Sequence, residues 1–292
     1  MWILGKGSLI TAMVTPFKQD LSVDYQRAEE LAAYLIEQKS DGIVVCGTTG
    51  ESPTLTENEK LELFRRIKEK VGDRAVIIAG TGNNNTSASI SLTQKAEALG
   101  VDAILLVTPY YNKPTQEGLY QHFSQIAAST KLPVLLYNVP GRTGSNLLPH
   151  TVRQLAEIDN IIGIKEASGD LNQISEIARI TPSDFVIYSG DDALTLPILA
   201  VGGCGVISVA SHLVGPAIKK MLISFFEGKI ETAIQIHKEL LPVFKGLFIT
   251  TNPIPVKMAL RYKGMDMGGF RLPLTEPPED IKEKIKSLVS CL

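Results

Sequence analysis

The sequence predicts a (β/α)8 TIM barrel with a C-terminal helical extension. Eight short apolar runs, several rich in β-branched residues, recur through the first two-thirds of the chain. Continuous runs of this kind suit strands buried on both faces, as parallel strands are. Amphipathic helical segments lie between them, and eight such alternations argue for a closed barrel. A doubly wound open sheet is the alternative, but it usually needs fewer strands. The chain also lacks a GxGxxG fingerprint after its first run.

The elements follow in order. The first apolar run is 9–14. A helix over 25–38 has Ala28, Leu31, Ala32, Leu35 and Ile36 at i, i+3, i+4 spacing. The second run, 42–46, precedes a helix over 57–70, where Thr56 is the expected N-cap and Glu59 completes a capping box. The third run is 75–79, and the next helix, 87–99, ends at Gly100 as a C′ glycine. Further runs are 103–107, 134–137, 161–165, 185–188 and 205–209. After residue 209 the strand signal stops. Residues 216–227, 230–244 and 281–291 read as helices, with a Pro-rich loop over 275–279. The expected division is a catalytic barrel over 1–225 and a helical domain over 226–292.

Composition narrows the function. The chain has 292 residues, 44% hydrophobic and 21% charged, an ordinary globular balance with room for a large barrel. A net charge of −2 gives no broad basic field for nucleic acid or an anionic membrane. No apolar stretch is long enough to span a bilayer, and residues 1–15 show no clear leader, so a cytoplasmic protein is expected. Cys46 and Cys204 lie in apolar runs and read as buried thiols. His122, His150, His212 and His237 are isolated and read as surface or capping residues. No metal is expected.

In such a barrel the chemistry collects at the C-terminal ends of the strands. Lys165 ends the run Ile161-Ile162-Gly163-Ile164. A lysine placed at a pocket mouth is desolvated, which favours its neutral amine, a nucleophile toward carbonyl carbon. The plainer alternative is a surface lysine paired with Glu166. After the second run comes Gly47-Thr48-Thr49-Gly50-Glu51, whose glycines let amides and hydroxyls converge on a carboxylate, or which is simply a tight βα turn. Tyr110 and Tyr111 follow the fourth run, Tyr137 and Arg142 the fifth, and Gly190 the seventh. Ile207 belongs to the eighth. A tyrosine beside the lysine can carry protons through carbinolamine, imine and enamine, and a forked arginine suits a substrate carboxylate. Taken singly, Tyr137 could be a core tyrosine and Arg142 a surface ion pair. Convergence on one rim favours a Schiff-base enzyme over a non-catalytic keto-acid sensor, which needs no proton relay.

The segments GTTGES (47–52), VTPYYNKPTQEGLY (107–120), YNVPGRTG (137–144), IIGIKEASGD (161–170), SGDD (189–192), GVISV (205–209) and NPIPVK (252–257) resemble the dihydrodipicolinate synthase (4-hydroxy-tetrahydrodipicolinate synthase) family. The resemblance covers essentially the whole chain. It implies condensation of pyruvate with L-aspartate 4-semialdehyde in lysine and diaminopimelate synthesis. No cofactor is implied beyond the covalent Schiff base. The resemblance further implies that Lys165 takes pyruvate, with Tyr137 as acid/base, Thr48 as relay and Tyr111 completing the proton chain across a dimer interface. A homodimer or a homotetramer of two dimers follows. Thr49 would hold the pyruvate carboxylate and Arg142 the semialdehyde carboxylate, with the backbone carbonyls of Gly190 and Ile207 near the imine. Related pyruvate-lysine aldolases, such as N-acetylneuraminate lyase and 2-keto-3-deoxy-acid aldolases, share the lysine and tyrosine; Arg142 favours the synthase. In lysine-inhibited members a glutamate and a histidine serve the feedback site. The matching positions here are Ala88 and Lys60, with Ser52, Asn84 and Tyr110 as a possible allosteric remnant, so weak or absent lysine inhibition is expected.

Overall fold

Eight parallel strands close into a barrel in chain order. They are β1 (Ser8–Ala12), β2 (Gly42–Val45), β3 (Val76–Gly80), β4 (Ala103–Val107), β5 (Val134–Asn138), β6 (Ile161–Glu166), β7 (Val186–Ser189) and β8 (Gly205–Ser208). This is a computed structural model that describes residues 5–292. The stretch read for a leader begins at Met1, so its residues 1–4 lie outside the described residues. β1 pairs with both β2 and β8, which closes the barrel.

Strand periodicity divides the core. Ile10 and Ala12 of β1, Val44 of β2, Ile78 of β3 and Leu105 of β4 fill the barrel interior. Their neighbours Leu9, Ile43, Val45, Ile77 and Leu106 pack outward under the helices. Both faces are apolar, which is why the strands read as unbroken runs.

The expected helices form with small shifts at their ends. Tyr25–Glu37 buries Ala28, Leu31, Ala32 and Leu35. Glu57–Val71 opens with the capping box of Thr56 and Glu59. Thr86–Ala98 starts one residue early because Asn85 accepts from the Ala88 amide. The helix expected from residue 216 begins at Ser211 and kinks at Val214, ahead of Pro216. Pro216 marks that kink, and not the helix start.

Beyond the barrel lie Ile230–Gly246, Ile254–Tyr262 and Glu279–Ser290. The helix Ile254–Tyr262 was not expected. Pro253 and Pro255 occupy its N-cap and first turn, where no intrahelical donor is needed.

Two histidines differ from the surface or capping reading. His212 is fully buried; its Nδ1 donates to the Val209 carbonyl at 2.8 Å and its Nε2 accepts from the Val14 amide at 3.3 Å. Burial lowers its pKa to about 4, so it is a neutral tie between the ends of β1 and β8. His122 is buried too and hydrogen-bonds Thr86. Among the described residues no group of His, Cys, Asp and Glu could hold a metal ion, and no helix is long and apolar enough to cross a membrane. Cys46 and Cys204 are buried free thiols, and burial pushes both up to about 12, so they are packed and un-ionised.

Candidate active site

β6 presents Lys165 and Glu166 to opposite sides of the sheet. Glu166 turns outward and is fully buried, accepting from the Asn138 side chain and from the Ser168 amide at 2.8 Å. It therefore does not pair with Lys165. Lys165 turns toward the barrel axis and is only 5% exposed. In register it stands between Tyr137 on β5 and Tyr188 on β7. Its Nζ lies 4.2 Å from the centroid of the Tyr137 ring.

Two adjoining chambers open here. The smaller, about 150 Å³, holds Lys165 and is walled by Thr48, Thr49, Tyr137, Arg142, Gly190 and Asn252, among others. The larger, about 440 Å³, shares Thr48, Tyr137, Val139 and Arg142 with it and extends to Ser52, Lys60 and Tyr110. Gly190 is required by close approach, because an added Cβ would lie 2.8 Å from Ala167 Cβ and 3.1 Å from Lys165 Cε. Any side chain at position 190 would push the lysine off its line.

The Gly47–Glu51 turn is locked from beneath. Glu51 adopts φ 55°, and its buried carboxylate takes a hydrogen bond from Lys257 Nζ at 3.0 Å. Lys257 also donates to the carbonyls of Thr15 and Gly269 and lies over the rings of Phe17 and Phe270. Burial pulls its pKa below the ordinary lysine value, while Glu51 opposes that shift. From the same C-terminal segment, Asn252 Nδ2 donates to Thr49 Oγ1 at 2.9 Å. The Asn252 carbonyl accepts from the Arg142 guanidinium at 3.3 Å. One residue thus joins the threonine turn to the arginine.

Of the expected site residues, Lys165, Tyr137, Thr48, Thr49, Arg142 and Gly190 meet in the smaller chamber. Ile207 fills the barrel interior beneath it and does not line either chamber. Tyr111 stands apart. It is 89% exposed, has φ 75° and lines neither chamber. Ser52 and Tyr110 line the larger chamber, and Asn84 instead donates to the Tyr110 carbonyl at 3.1 Å. Sequence reasoning missed Asn252, Asp191 and the Glu51–Lys257 pair as parts of the site. Their signals were the GTTGES, SGDD and NPIPVK segments.

The family model described as "Dihydrodipicolinate synthetase family" matches residues 6–292. The chain belongs to this family. A curated relative from Desulforamulus reducens, a 4-hydroxy-tetrahydrodipicolinate synthase, is 56% identical over 98% of this chain and 97% of its own length. One of the same description from Desulforudis audaxviator is 57% identical over 97% of this chain and 96% of its own. Among solved structures, a dihydrodipicolinate synthase from Bacillus anthracis is 48% identical with a TM-score of 0.97, covering 100% of this chain and 99% of that one. A second, from Cyanidioschyzon merolae with lysine bound, is 48% identical with a TM-score of 0.96 and 98% coverage of each chain.

Proposed function

We propose that this family member is a 4-hydroxy-tetrahydrodipicolinate synthase that joins pyruvate to L-aspartate 4-semialdehyde through a Schiff base on Lys165. The observation that carries this reading is the juxtaposition of Lys165 Nζ with Tyr137 in a chamber that also holds Thr48, Thr49 and Arg142. The Lys165 amine attacks the ketone carbon of pyruvate. Tyr137 returns a proton to the carbinolamine oxygen, which leaves as water, and an imine remains. Loss of a methyl proton gives the enamine, whose carbon bonds to the aldehyde carbon. The acceptor's own amine then attacks the imine carbon and breaks the bond to Lys165, closing the ring. The covalent imine activates the substrate in the role a cofactor would otherwise fill.

Turnover with pyruvate and L-aspartate 4-semialdehyde, coupled to a reductase that consumes the product, tests the reading beside Lys165→Ala. Robust wild-type turnover, lost in the variant by at least about a thousandfold, is expected. Equal turnover by the two proteins rules out the lysine.

The position of Tyr111 supports self-association. A large aromatic ring in the left-handed backbone region, almost wholly in solvent, gains nothing inside its own subunit. We propose that it completes the proton relay of a second copy in a homodimer or a tetramer of two dimers. Tyr111→Phe and Lys165→Ala, each inactive or nearly so alone, are then expected to regain activity when unfolded and refolded together, because one mixed site has both groups. No regain shows that Tyr111 serves its own chain.

Lysine inhibition is expected to be weak. Lys60 lines the larger chamber beside Ser52 and Tyr110, and its ammonium repels that of a lysine effector. Ala88 is exposed on its helix and offers no carboxylate. Half-inhibition below about a millimolar lysine would contradict this reading.

A further inference from the structure

The ends of β5 and β6 carry a second set of polar side chains, turned away from the chambers. Asn138 and Glu166 form the register pair directly after Tyr137 and Lys165, and both are fully buried. Elsewhere the outward face of the barrel is apolar, as at Leu9, Ile43, Ile77 and Leu106. Asn138 Nδ2 donates to both Glu166 oxygens, at 3.3 and 3.2 Å, and to Asn146 Oδ1 at 2.8 Å. Asn138 Oδ1 accepts from the Leu147 amide at 2.9 Å. Asn146 and Gln173, which lies on the helix Leu171–Ile180, exchange two bonds of 2.9 and 3.2 Å. The partners of Glu166 are all neutral donors. Burial pushes its carboxyl above the usual range, and the bonds from Ser168, Asn138 and Gln173 pull it back.

None of these side chains lines either chamber, and the reaction as written above makes no use of them. Apolar side chains of similar volume would fill this space without the desolvation of a carboxyl group. What they would lack is direction, because a hydrogen bond fixes distance and angle and an apolar contact fixes neither.

We propose that Glu166 is a positioning residue: bonded through Asn138 to Asn146, it clamps the ends of β5 and β6 from outside and so holds Lys165 Nζ against Tyr137 inside. This rests on the reading of Lys165 as the imine-forming lysine. Main-chain bonds share the clamp. The Ala167 amide donates to the Asn138 carbonyl at 2.9 Å, and the Gly190 amide to the Glu166 carbonyl at 2.8 Å. Successive side chains of a strand point to opposite faces, so a twist of the β6 end that moves Glu166 outward also swings Lys165. A shift of about 1 Å between reacting groups costs on the order of a hundredfold in rate. The clamp thus acts on the speed of imine formation and leaves the contacts made by pyruvate itself unchanged.

The test is single-turnover imine formation with pyruvate, quenched by borohydride and read by mass. It yields a rate constant at saturating pyruvate, a half-saturating concentration, and an amplitude that counts the competent sites. Glu166→Met keeps the length of the side chain and removes every bond. Its rate constant is expected to fall by about tenfold to a hundredfold, with half-saturation within about threefold of the wild type. Glu166→Gln keeps an acceptor for the Ser168 amide and is expected to recover most of the rate. Asn146→Ala, at a half-buried position outside both chambers, is expected to slow the step by about threefold to tenfold. A purely structural role lowers the melting temperature and the amplitude, and leaves the rate constant of the remaining sites where it was. Rate constants within about twofold of the wild type in Glu166→Met and Asn146→Ala therefore overturn the clamp. Where Glu166→Met does not fold, Asn146→Ala decides alone. A change confined to half-saturation overturns it too, since that is a binding role. A wild type with no pyruvate-dependent trapping overturns the reading of Lys165 and the clamp with it.

Discussion

Lys257→Met is expected to destabilise the protein by about 3–5 kcal/mol, because it leaves the Glu51 carboxylate buried and unpaired. Both side chains are only 1% exposed, so water cannot take over the hydrogen bond. The ammonium is held at four further points, by two carbonyls and two aromatic rings, and all of these are lost together. Stability of an ordinary domain is about 5–15 kcal/mol, so the change is a large share of the total. The effect reaches the chemistry through Glu51. Its backbone amide donates to the Thr48 carbonyl at 3.1 Å, so a tilt of Glu51 moves Thr48 on the chamber wall. A displacement of about 1 Å at a reacting group costs on the order of a hundredfold in rate. Denaturant midpoints and kcat, measured for Lys257→Met, Glu51→Gln and the double variant, check this. The double variant is expected to recover part of the lost stability, since removing both charges removes the uncompensated one. A single-variant loss under about 1 kcal/mol would show that the pair is not the anchor.

The barrel was legible because both faces of each strand are apolar. Composition alone marks such a strand, whatever its phase. The ends were harder, for a physical reason. β5, β6 and β7 close with Asn138, Glu166 and Ser189, which are polar yet fully buried. An apolar run stops before them, although the ladder continues because Asn138, Glu166 and Ser168 satisfy one another. The site residues borne by strands were legible for the converse reason. Lys165 and Tyr137 are polar residues that end apolar runs, and parallel register then sets them side by side. Residues that come to the site from far along the chain carried no such mark. Asn252 precedes Pro253 and reads locally as a turn, and nothing near it announces a bond to Thr49, more than two hundred positions away. The Glu51–Lys257 pair is hidden in the same way, since a glutamate after a glycine turn and a lysine in an amphipathic helix are each ordinary alone. Tyr111 is the opposite case. Its role was implied by resemblance, and within one chain the structure leaves its ring in solvent.

Arg142→Ala is expected to separate the two halves of the reaction. The guanidinium lies on the wall shared by both chambers, is solvent-exposed and has one weak bond, to the Asn252 carbonyl. It is thus free to receive a carboxylate by two parallel hydrogen bonds, which a neutral side chain cannot do. Pyruvate's carboxylate is assigned to Thr49 and its turn, so imine formation should hardly notice the change. Borohydride trapping with pyruvate is expected to stay within about threefold of the wild type, while kcat/KM for the semialdehyde falls by about a hundredfold or more. Arg142→Lys should recover only part of this, because an ammonium restores the charge but not the fork. The alternative is that Arg142 serves mainly as a brace for Asn252. Lysine could still donate one bond to the Asn252 carbonyl, so a bracing role predicts near-complete rescue by Arg142→Lys and a matching loss in imine trapping for Arg142→Ala. The pattern across the two variants and the two steps therefore distinguishes a substrate-holding arginine from a structural one.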